Sequence, residues 1–538
     1  MKQTIYHSGH ILTMTAAPAP EALLVTGDRI TALGPLADLR AEAPGAAEVA
    51  LAGGTLLPAF IDPHSHFCNV ASSLLQLRLG GAADFADIAA RLRGYIAQNK
   101  LAPGQWVVAS GYDHTRLAEQ RHPDKALLDA AAPDNPVVLQ HASGHVGVFN
   151  SAAMKALDIT AATPVPEGGK LALGPDGQPT GYMEEGSFVG AFKKVPQAGL
   201  KELLAAFAAA QQIYASHGIA TVQEGLMPET LIPLYQALLD SGILRLDVVG
   251  YTEPEAAAAY RKAFPGSERQ YDRHFKLGGC KIFLDGSPQA RTAWLSRPYL
   301  GTEPGEEFSS PDSGYCGRPT LSDNAVEAAV RQATASGMQI LAHCNGDAAA
   351  AQYLAACRAV AGSDPRLRSL RPVMIHAQLL RRDQLDEVKA LGMIPSFFVA
   401  HTYHWGDTHL RNLGPERAAH ISPAGSALAK GIVFTFHQDS PVIQPDMLET
   451  IWCAVNRRTR GGVVLGPDER VPVLDALRAV TVNAAYQYFE EADKGALAPG
   501  MRADLVWLDR DPREVDPAAL REIQVLRTVK NGEVLYQK

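Results

Sequence analysis

The chain has 538 residues, of which 46% are hydrophobic and 20% charged, with a formal net charge of −8 at pH 7. This length predicts one large domain with additions, or two domains. The mild charge, without any Lys/Arg run, excludes nucleic acid and anionic membrane surfaces as expected partners. No apolar stretch approaches the roughly 18 residues that span a bilayer, and the N-terminus lacks a secretory layout. The six cysteines are scattered, as in reduced cytoplasmic proteins.

Both ends of the chain predict β-structure, because apolar and polar positions alternate there around turn signals. Asn531-Gly532 has the composition of a hairpin turn. We expect the two termini, residues 1–57 and 488–538, to pair into one small β-sandwich domain. The predicted terminal β-segments are residues 4–14, 22–34, 503–509 and 523–536.

The middle of the chain alternates short apolar strands with Ala/Leu-rich helical stretches. This pattern favours an α/β fold, a (β/α)₈ TIM barrel over residues 58–487. A doubly wound sheet is the alternative, but no Gly-rich phosphate-binding fingerprint follows the first strand. The eight predicted strands are residues 56–62, 219–224, 245–251, 277–284, 338–343, 372–376, 394–400 and 432–437.

The spacing of polar residues predicts an insertion after the first strand. From His66 to Lys281 the chain runs 215 residues, roughly twice what three βα repeats need. We place the insertion at about residues 67–205, where further strand-like and turn-rich pieces occur. A cap over the mouth of the barrel is the expected role, since barrel loops on that side form the site.

The string Phe-Ile-Asp-Pro-His-Ser-His-Phe places His64 and His66 two residues apart at the end of an apolar run. On a strand, residues i and i+2 leave the same face, so both imidazoles can reach one point. Imidazole is a preferred ligand of zinc and its first-row neighbours. The pair alone favours metal binding, with packing in a core or chance as the alternative.

Further polar residues follow the apolar strands in order: Lys281, His343, His376 and, beside His437, Asp439. Each has an ordinary explanation, because a single buried histidine is usually a hydrogen-bonded core residue and an Asp before Ser-Pro is usually a cap or turn. Their joint occurrence at successive strand ends, with the His-x-His pair, predicts a metal site.

This ordered set resembles the amidohydrolase superfamily, in particular the branch that includes N-substituted formamide deformylases. The resemblance extends over nearly the whole chain. It includes Ser-Gly-His-Val-Gly-Val-Phe-Asn-Ser around His145, Gly-Tyr-Met-Glu-Glu near Glu184, Lys-Ile-Phe-Leu-Asp-Gly-Ser at Lys281, and the C-terminal segment 495–506.

The resemblance implies a role for each position of the metal site. His64, His66 and Asp439 would bind one ion, and His343 and His376 a second. Lys281 would be carboxylated, so that its carbamate bridges the two. Without that modification a mononuclear site is expected. Zn²⁺, two per chain, is the first choice, and iron or manganese also fits these ligands.

The predicted function is hydrolysis of an amide or N-substituted formamide-like C–N bond that is not a peptide bond, by metal-activated water. Asp439 would accept the proton of that water and pass it to the leaving nitrogen. Two alternatives stay open: a lactone, carbamate or ester hydrolase with the same site, and a non-catalytic regulatory protein that binds a small molecule.

Substrate contacts are predicted where polar and aromatic residues cluster, as in segment 396–407, although these could instead pack the insertion onto the barrel. His437 replaces a commoner Ser or Thr and could tune Asp439 or touch substrate. We expect a small-molecule partner, a cytoplasmic location and, as a working hypothesis, a homodimer. The predicted substrate contacts are His145, Tyr112, Asp113, His401 and Tyr403, and the candidates for orienting the imidazoles are Asn345, Asp347 and Gln378.

Overall fold

Eight parallel strands form one sheet in which every strand neighbours the next along the chain. The order never reverses, so the doubly wound alternative is excluded, and the predicted (β/α)₈ barrel is confirmed. Beyond the two outer strands, the His66 N–H donates to the Ser440 carbonyl at 2.9 Å. The strands are Phe60–Ile61, Ile219–Met227, Asp247–Thr252, Phe275–Phe283, Gln339–Cys344, Val373–His376, Ile394–Phe397 and Thr435–Phe436.

The computed structural model describes residues 1–538 except 115, 142–143, 167–168, 197 and 301–313. Two compact units divide the chain: Met1–Cys68 with Ala210–Lys538, and Asn69–Ala209. Among the described residues, no helix has both the length and the apolar character needed to cross a membrane.

Alternating side chains fill the inside of the barrel. Val249 and Tyr251 of the third strand, Leu341 of the fifth and Val373 and Ile375 of the sixth belong to one buried apolar cluster. Because side chains in a strand repeat every two residues, the register that points Leu341 inward also points His343 inward at the strand end. The barrel core thus sets the direction of the functional side chains.

The helices between the strands cover the barrel with apolar faces. In Asp323–Ala335, the Ser322 hydroxyl accepts the Ala325 N–H as N-cap, and Val326, Val330 and Ala333 form the buried stripe. The longer described helices of this unit beyond residue 216 are Ile232–Ser241, Ala257–Ala263, Asp323–Ala335, Asp347–Ser363, Leu385–Ala390, Gly406–Ala419, Ala424–Ala429, Met447–Asn456, Val473–Ala479 and Val482–Gln487. Leu200–Ser216 precedes the second strand, and Leu36–Glu42 belongs to the terminal domain.

Two sheets built from both termini share a core that includes Leu23, Leu56 and Leu505, which confirms the predicted sandwich. Asn531 and Gly532 form the predicted hairpin turn with φ of 51° and 76°. One sheet contains Gln3–His7, Ala22–Thr26, Arg29–Gly34 and Ala47–Ala50, and the other His10–Ile11, Thr55–Pro58, Leu505–Leu508, Val525–Lys530 and Glu533–Gln537.

One predicted strand is divided in the structure. The apolar run 56–62 serves two sheets: Thr55–Pro58 pairs with Leu505–Leu508 of the sandwich, and Phe60–Ile61 starts the barrel. Ala59 separates them and donates its N–H to the Asp504 carbonyl at 2.9 Å. Residues 55–61 are all buried, so the apolar pattern of the sequence does not indicate that the run is divided between two sheets.

The smaller unit, Asn69–Ala209, has its own six-stranded mixed sheet. Its strands are Leu77–Arg78, Val107–Tyr112, Val137–His141, Val146–Phe149, Lys170–Leu173 and Pro179–Glu184. Its helices are Phe85–Gln98, Lys125–Ala131, Ser151–Ala156 and Glu185–Phe192, while Phe67–Ser73 begins just before the unit and the first residues of Leu200–Ser216 end it.

Candidate metal centre

The six predicted metal ligands all lie at the carboxyl ends of barrel strands, where barrel enzymes place their sites. Lys281 lies in the fourth strand, and His343 and His376 belong to the fifth and sixth. His376 and Asp439 have left-handed backbones with φ of 70° and 54°, which is costly for residues other than glycine. Such strain is concentrated at functional sites.

His64, His66 and Asp439 form the first half of the centre. Asp439 Oδ1 lies 3.3 Å from His64 Nε2 and 3.3 Å from His66 Nε2. Ligand atoms about 2.0–2.1 Å from one tetrahedral ion are about 3.3–3.4 Å apart, so the three atoms fit a shared cation. Asp439 Oδ1 is buried, and no donor among the described residues is oriented to give it a hydrogen bond. A bound cation would satisfy it.

The second half contains His343, His376 and Lys281. His376 Nε2 lies 3.1 Å from His343 Nδ1, a separation that also suits two ligands of one ion. Lys281 Nζ lies 3.3 Å from His64 Nε2 and is buried. The structure thus brings all six predicted ligands together.

Hydrogen bonds orient the imidazoles of the predicted ligands. His64 Nδ1 lies 2.6 Å from Gln223 Oε1, and Gln223 Nε2 donates to the Tyr488 hydroxyl at 3.0 Å. His343 Nε2 lies 3.0 Å from the Gly286 carbonyl, which leaves Nδ1 toward His376. Such outer partners set the tautomer and direction of a ligand histidine.

The candidates for orienting the imidazoles have different places in the structure, and one orienting group was missed. Asn345 Nδ2 donates to the Gly286 carbonyl at 2.8 Å and lies 3.1 Å from His343 Nε2, so Asn345 shares the acceptor of His343, and its predicted orienting role stays a prediction. Asp347 instead pairs with Arg381, and Gln378 donates to Ser422, so neither orients an imidazole in this way. Gln223 was missed, although a glutamine inside a strand as apolar as Ile219–Met227 is a signal that could have identified it.

Burial sets the charge of the centre. Burial, with the nearby Lys281, lowers the pKa of His64 to about 3 and that of His343 to about 4. Both imidazoles are therefore neutral and able to bind a metal. Burial would raise the pKa of Asp439, but contacts with His64 and His66 lower it well below its usual range. Burial lowers the pKa of Lys281 to about 7.

A buried carboxylate that was not predicted braces the strand ends. Asp285 accepts the backbone N–H groups of Asn345 and Trp294, each at 2.9 Å, and that of Gly346 at 2.6 Å. Burial raises its pKa to about 7. Asp285 Oδ1 also lies 3.6 Å from His343 Nε2, so this carboxylate ties the turn after the fourth strand to the fifth.

The predicted substrate residues of the larger unit lie just after the seventh strand. His401 is buried, with Nδ1 3.1 Å from His409 Nε2 and its ring 4.6 Å from that of Phe398. Phe398 in turn lies 6.2 Å from the His376 ring. The Tyr403 ring packs edge-on against Trp452 at 5.3 Å. Their roles toward substrate stay predictions.

The other three predicted contacts belong to the smaller unit. Tyr112 is fully buried and its hydroxyl lies 3.1 Å from His122 Nδ1. Asp113 lies next to His141, and His145 Nδ1 lies 3.0 Å from Glu185 Oε2. Substrate binding by these residues also stays a prediction.

Comparison with known proteins gives relatives over the full length. The chain is 27% identical to a putative amidohydrolase, YtcJ, of Bacillus subtilis, with 100% of each chain covered. It is 27% identical to the N-substituted formamide deformylase of Arthrobacter pascens, covering 96% of this chain and 95% of the relative. The structure matches that of an uncharacterized metal-dependent hydrolase from Pyrococcus furiosus with a TM-score of 0.76 and 26% identity, over 95% of this chain and 100% of the other.

Two family models match the chain. Residues 22–46 match an imidazolonepropionase-like composite domain of bacteria. Residues 47–536, which include all six predicted ligands, match the model of the amidohydrolase family. This chain therefore belongs to the amidohydrolase family and is a metal-dependent hydrolase.

Proposed function

We propose that the protein hydrolyses the C–N bond of a non-peptide amide, with N-substituted formamides as the leading substrate class. The observation that carries the proposal is the position of Asp439 Oδ1, which is buried and 3.3 Å from both His64 Nε2 and His66 Nε2. A carboxylate there can serve as metal ligand and as general base. The formamide deformylase among the relatives supports the bond class.

We propose two Zn²⁺ ions at the barrel centre, since His and carboxylate ligands suit zinc. His64, His66 and Asp439 would hold one, and His343 and His376 the other. When bound, divalent cations act as Lewis acids toward a carbonyl oxygen and toward water.

Lys281 is proposed to carry a carbamate between the two ions. Because its pKa lies at about 7, much of the amine is neutral near neutral pH and can attack CO₂. The neutral amine forms the new N–C bond with loss of one proton, so an uncharged side chain becomes an anion. That anion, beside His64 Nε2, supplies the negative charge that two cations require.

Asp439 is proposed to move the proton of the reaction. Its lowered pKa keeps the carboxylate ionised, so it can accept a proton from the attacking water and transfer it to the leaving nitrogen. Aromatic rings border the centre: Phe283 lies 5.2 Å from the His343 ring, and Phe398 lies 6.2 Å from the His376 ring. Such rings favour an apolar or aromatic substituent on the substrate nitrogen.

We further propose that the protein works in the cytoplasm on a small molecule. All six cysteines, Cys316 among them, are free thiols, which suits a reducing compartment.

A substrate panel tests the proposal. N-substituted formamides, other amides, esters and lactones are offered to the wild type, to Asp439→Asn and to Asp383→Asn, whose carboxylate is exposed and pairs with Arg381. We expect amide hydrolysis that Asp439→Asn reduces on the order of 10²–10⁴-fold and Asp383→Asn leaves unchanged. Faster turnover of esters or lactones than of any amide would contradict the bond class. Full activity of Asp439→Asn would contradict the base.

A further inference from the structure

A second group of metal-binding side chains lies in the smaller unit, separate in sequence from the six ligands of the barrel. It forms where the strands Val107–Tyr112 and Val137–His141 end side by side. The two strands are parallel, and a register shift pairs Tyr112 with His141. The residues that follow Tyr112, which are Asp113 and His114, therefore lie beside His141.

The potential ligand atoms of Asp113, His114 and His141 lie close together. His114 Nδ1 lies 3.2 Å from His141 Nε2, and Asp113 Oδ1 lies 3.9 Å from the same nitrogen. All three lie within 4.8 Å of one another. A His–His hydrogen bond alone would explain the first distance. The carboxylate Oδ1 of Asp113 is beyond hydrogen-bonding range of His141 Nε2, at a separation about half an ångström longer than the about 3.3–3.4 Å between ligands of one tetrahedral ion, while the other oxygen, Oδ2, lies 3.5 Å from the exposed Arg116 Nε.

We propose that Asp113, His114 and His141 bind a divalent transition-metal ion, with Zn²⁺ preferred. Two imidazoles and one carboxylate are a typical zinc ligand set, and three protein ligands leave a fourth position for water or for a group of a bound molecule. Asp113 thereby receives a role as ligand, in place of the direct substrate contact predicted from the sequence.

The surroundings hold both imidazoles in place. The ring of His122 stacks on that of His114 at 3.9 Å between centroids, and the buried Tyr112 ring lies edge-on to His141 at 5.2 Å. The Tyr112 hydroxyl fixes His122 through Nδ1 at 3.1 Å. Rings held by packing and outer hydrogen bonds are what a preformed metal site requires.

The site is open enough for an ion to enter. The side chain of Asp113 is 30% exposed and that of His141 is 13% exposed. Another His/carboxylate group, His10 with Asp511 and Glu514, is less suited, because Arg513 donates to both oxygens of Asp511, at 2.7 Å and 3.1 Å, whereas Arg116 approaches one oxygen of Asp113 only to 3.5 Å.

Metal counting on the full-length protein tests the site. Protein stripped of metal and dialysed against Zn²⁺ is desalted, and zinc per chain is measured by mass spectrometry for the wild type and for the double variant His114→Gln, His141→Gln. We expect the double variant to hold one zinc ion fewer per chain. His145→Gln, which removes an exposed histidine of the same unit that pairs with Glu185, should hold as much zinc as the wild type. Equal zinc in the wild type and the double variant would overturn the proposal.

A second pair of measurements separates this site from the barrel and from misfolding. The barrel variant His343→Asn, His376→Asn should lose barrel zinc and keep the ion of the smaller unit, so that adding the His114 and His141 changes removes one further ion. Circular dichroism shows whether the double variant folds. If it does not, the zinc affinity of the single variant Asp113→Asn is measured by chelator competition instead. We expect it to lower the affinity for one zinc ion by about tenfold or more, as the loss of even an outer partner of a metal ligand does. Unchanged affinity for every zinc ion would overturn the proposal.

Discussion

His437 Nε2 lies 3.1 Å from His376 Nδ1, while His437 Nδ1 lies 2.9 Å from the Ser396 hydroxyl. The chain of contacts leaves His376 Nε2 pointing at His343. His437 is fully buried, and its ring lies 5.1 Å from that of His64. His437, whose role the sequence left open, therefore orients the predicted metal ligand His376 through the ring nitrogen that faces away from His343.

Replacing His437 tests this support. His437→Phe keeps a ring but removes the partner of His376 Nδ1, so we expect the affinity for the metal of His343 and His376 to fall about 10–100-fold. Chelator competition measures it. Ser396→Ala removes only the outer contact and should have a smaller effect. Equal affinities in the wild type and His437→Phe would show that His437 does not orient the ligand.

Lys281 is predicted to be carboxylated, and arginine cannot replace it in that role. A guanidinium stays protonated at any working pH, so Lys281→Arg puts a fixed cation beside the metal ligands and should abolish hydrolysis with loss of bound metal. Lys281→Glu restores a carboxylate and should keep part of the metal. Intact-protein mass spectrometry under native conditions should show one added CO₂ in the wild type and none in either variant. Metal-replete, active protein without that mass would contradict the carbamate.

A buried ion network at the opposite end of the barrel strands makes stability depend on pH. Burial would raise the pKa of Asp247, but Lys494, Lys530 and His274 lower it well below its usual value. Lys530 Nζ donates to Asp247 Oδ2 at 2.5 Å and His274 Nδ1 lies 2.7 Å from Oδ1. A carboxyl with a lowered folded-state pKa stabilises the fold above its unfolded pKa of about 3.9, and that stability is lost as the pH falls below this value.

Asp247→Asn should therefore destabilise the protein by about 1–3 kcal/mol at neutral pH, because it removes one of the two carboxylates beside each buried lysine, while Lys530 keeps Asp504 and Lys494 keeps Glu490. Thermal or urea unfolding of the wild type and the variant at several pH values measures the difference. We expect it to be constant from about pH 7 to 5 and to shrink below about pH 4. A difference that stays the same at low pH would rule out the ionised Asp247 as its source.

The barrel and the candidate ligands could be predicted from the sequence, because the alternation of inward and outward side chains along each strand determines both. Inward apolar residues such as Leu341 repeat every two positions, and the polar residue that breaks the run, here His343, ends the strand at the site. The contacts made by Gln223 and His437 could not be read in this way. Each contact depends on the register between strands that are distant in sequence. The hydrophobic periodicity of one strand does not specify that register. The division of the run 56–62 between two sheets was hidden for the same reason, since both halves are buried.

The most direct test of the central claim is hydrolysis measured before and after metal removal. The wild type is stripped with a chelator, assayed on an N-substituted formamide, and assayed again after adding Zn²⁺ and bicarbonate, beside a His64→Asn, His66→Asn variant treated identically. A metal-dependent hydrolase built on these ligands should lose activity on stripping and regain it on addition, while the variant stays inactive. Full activity of the stripped wild type, or recovery by the variant, would contradict the assignment of this centre.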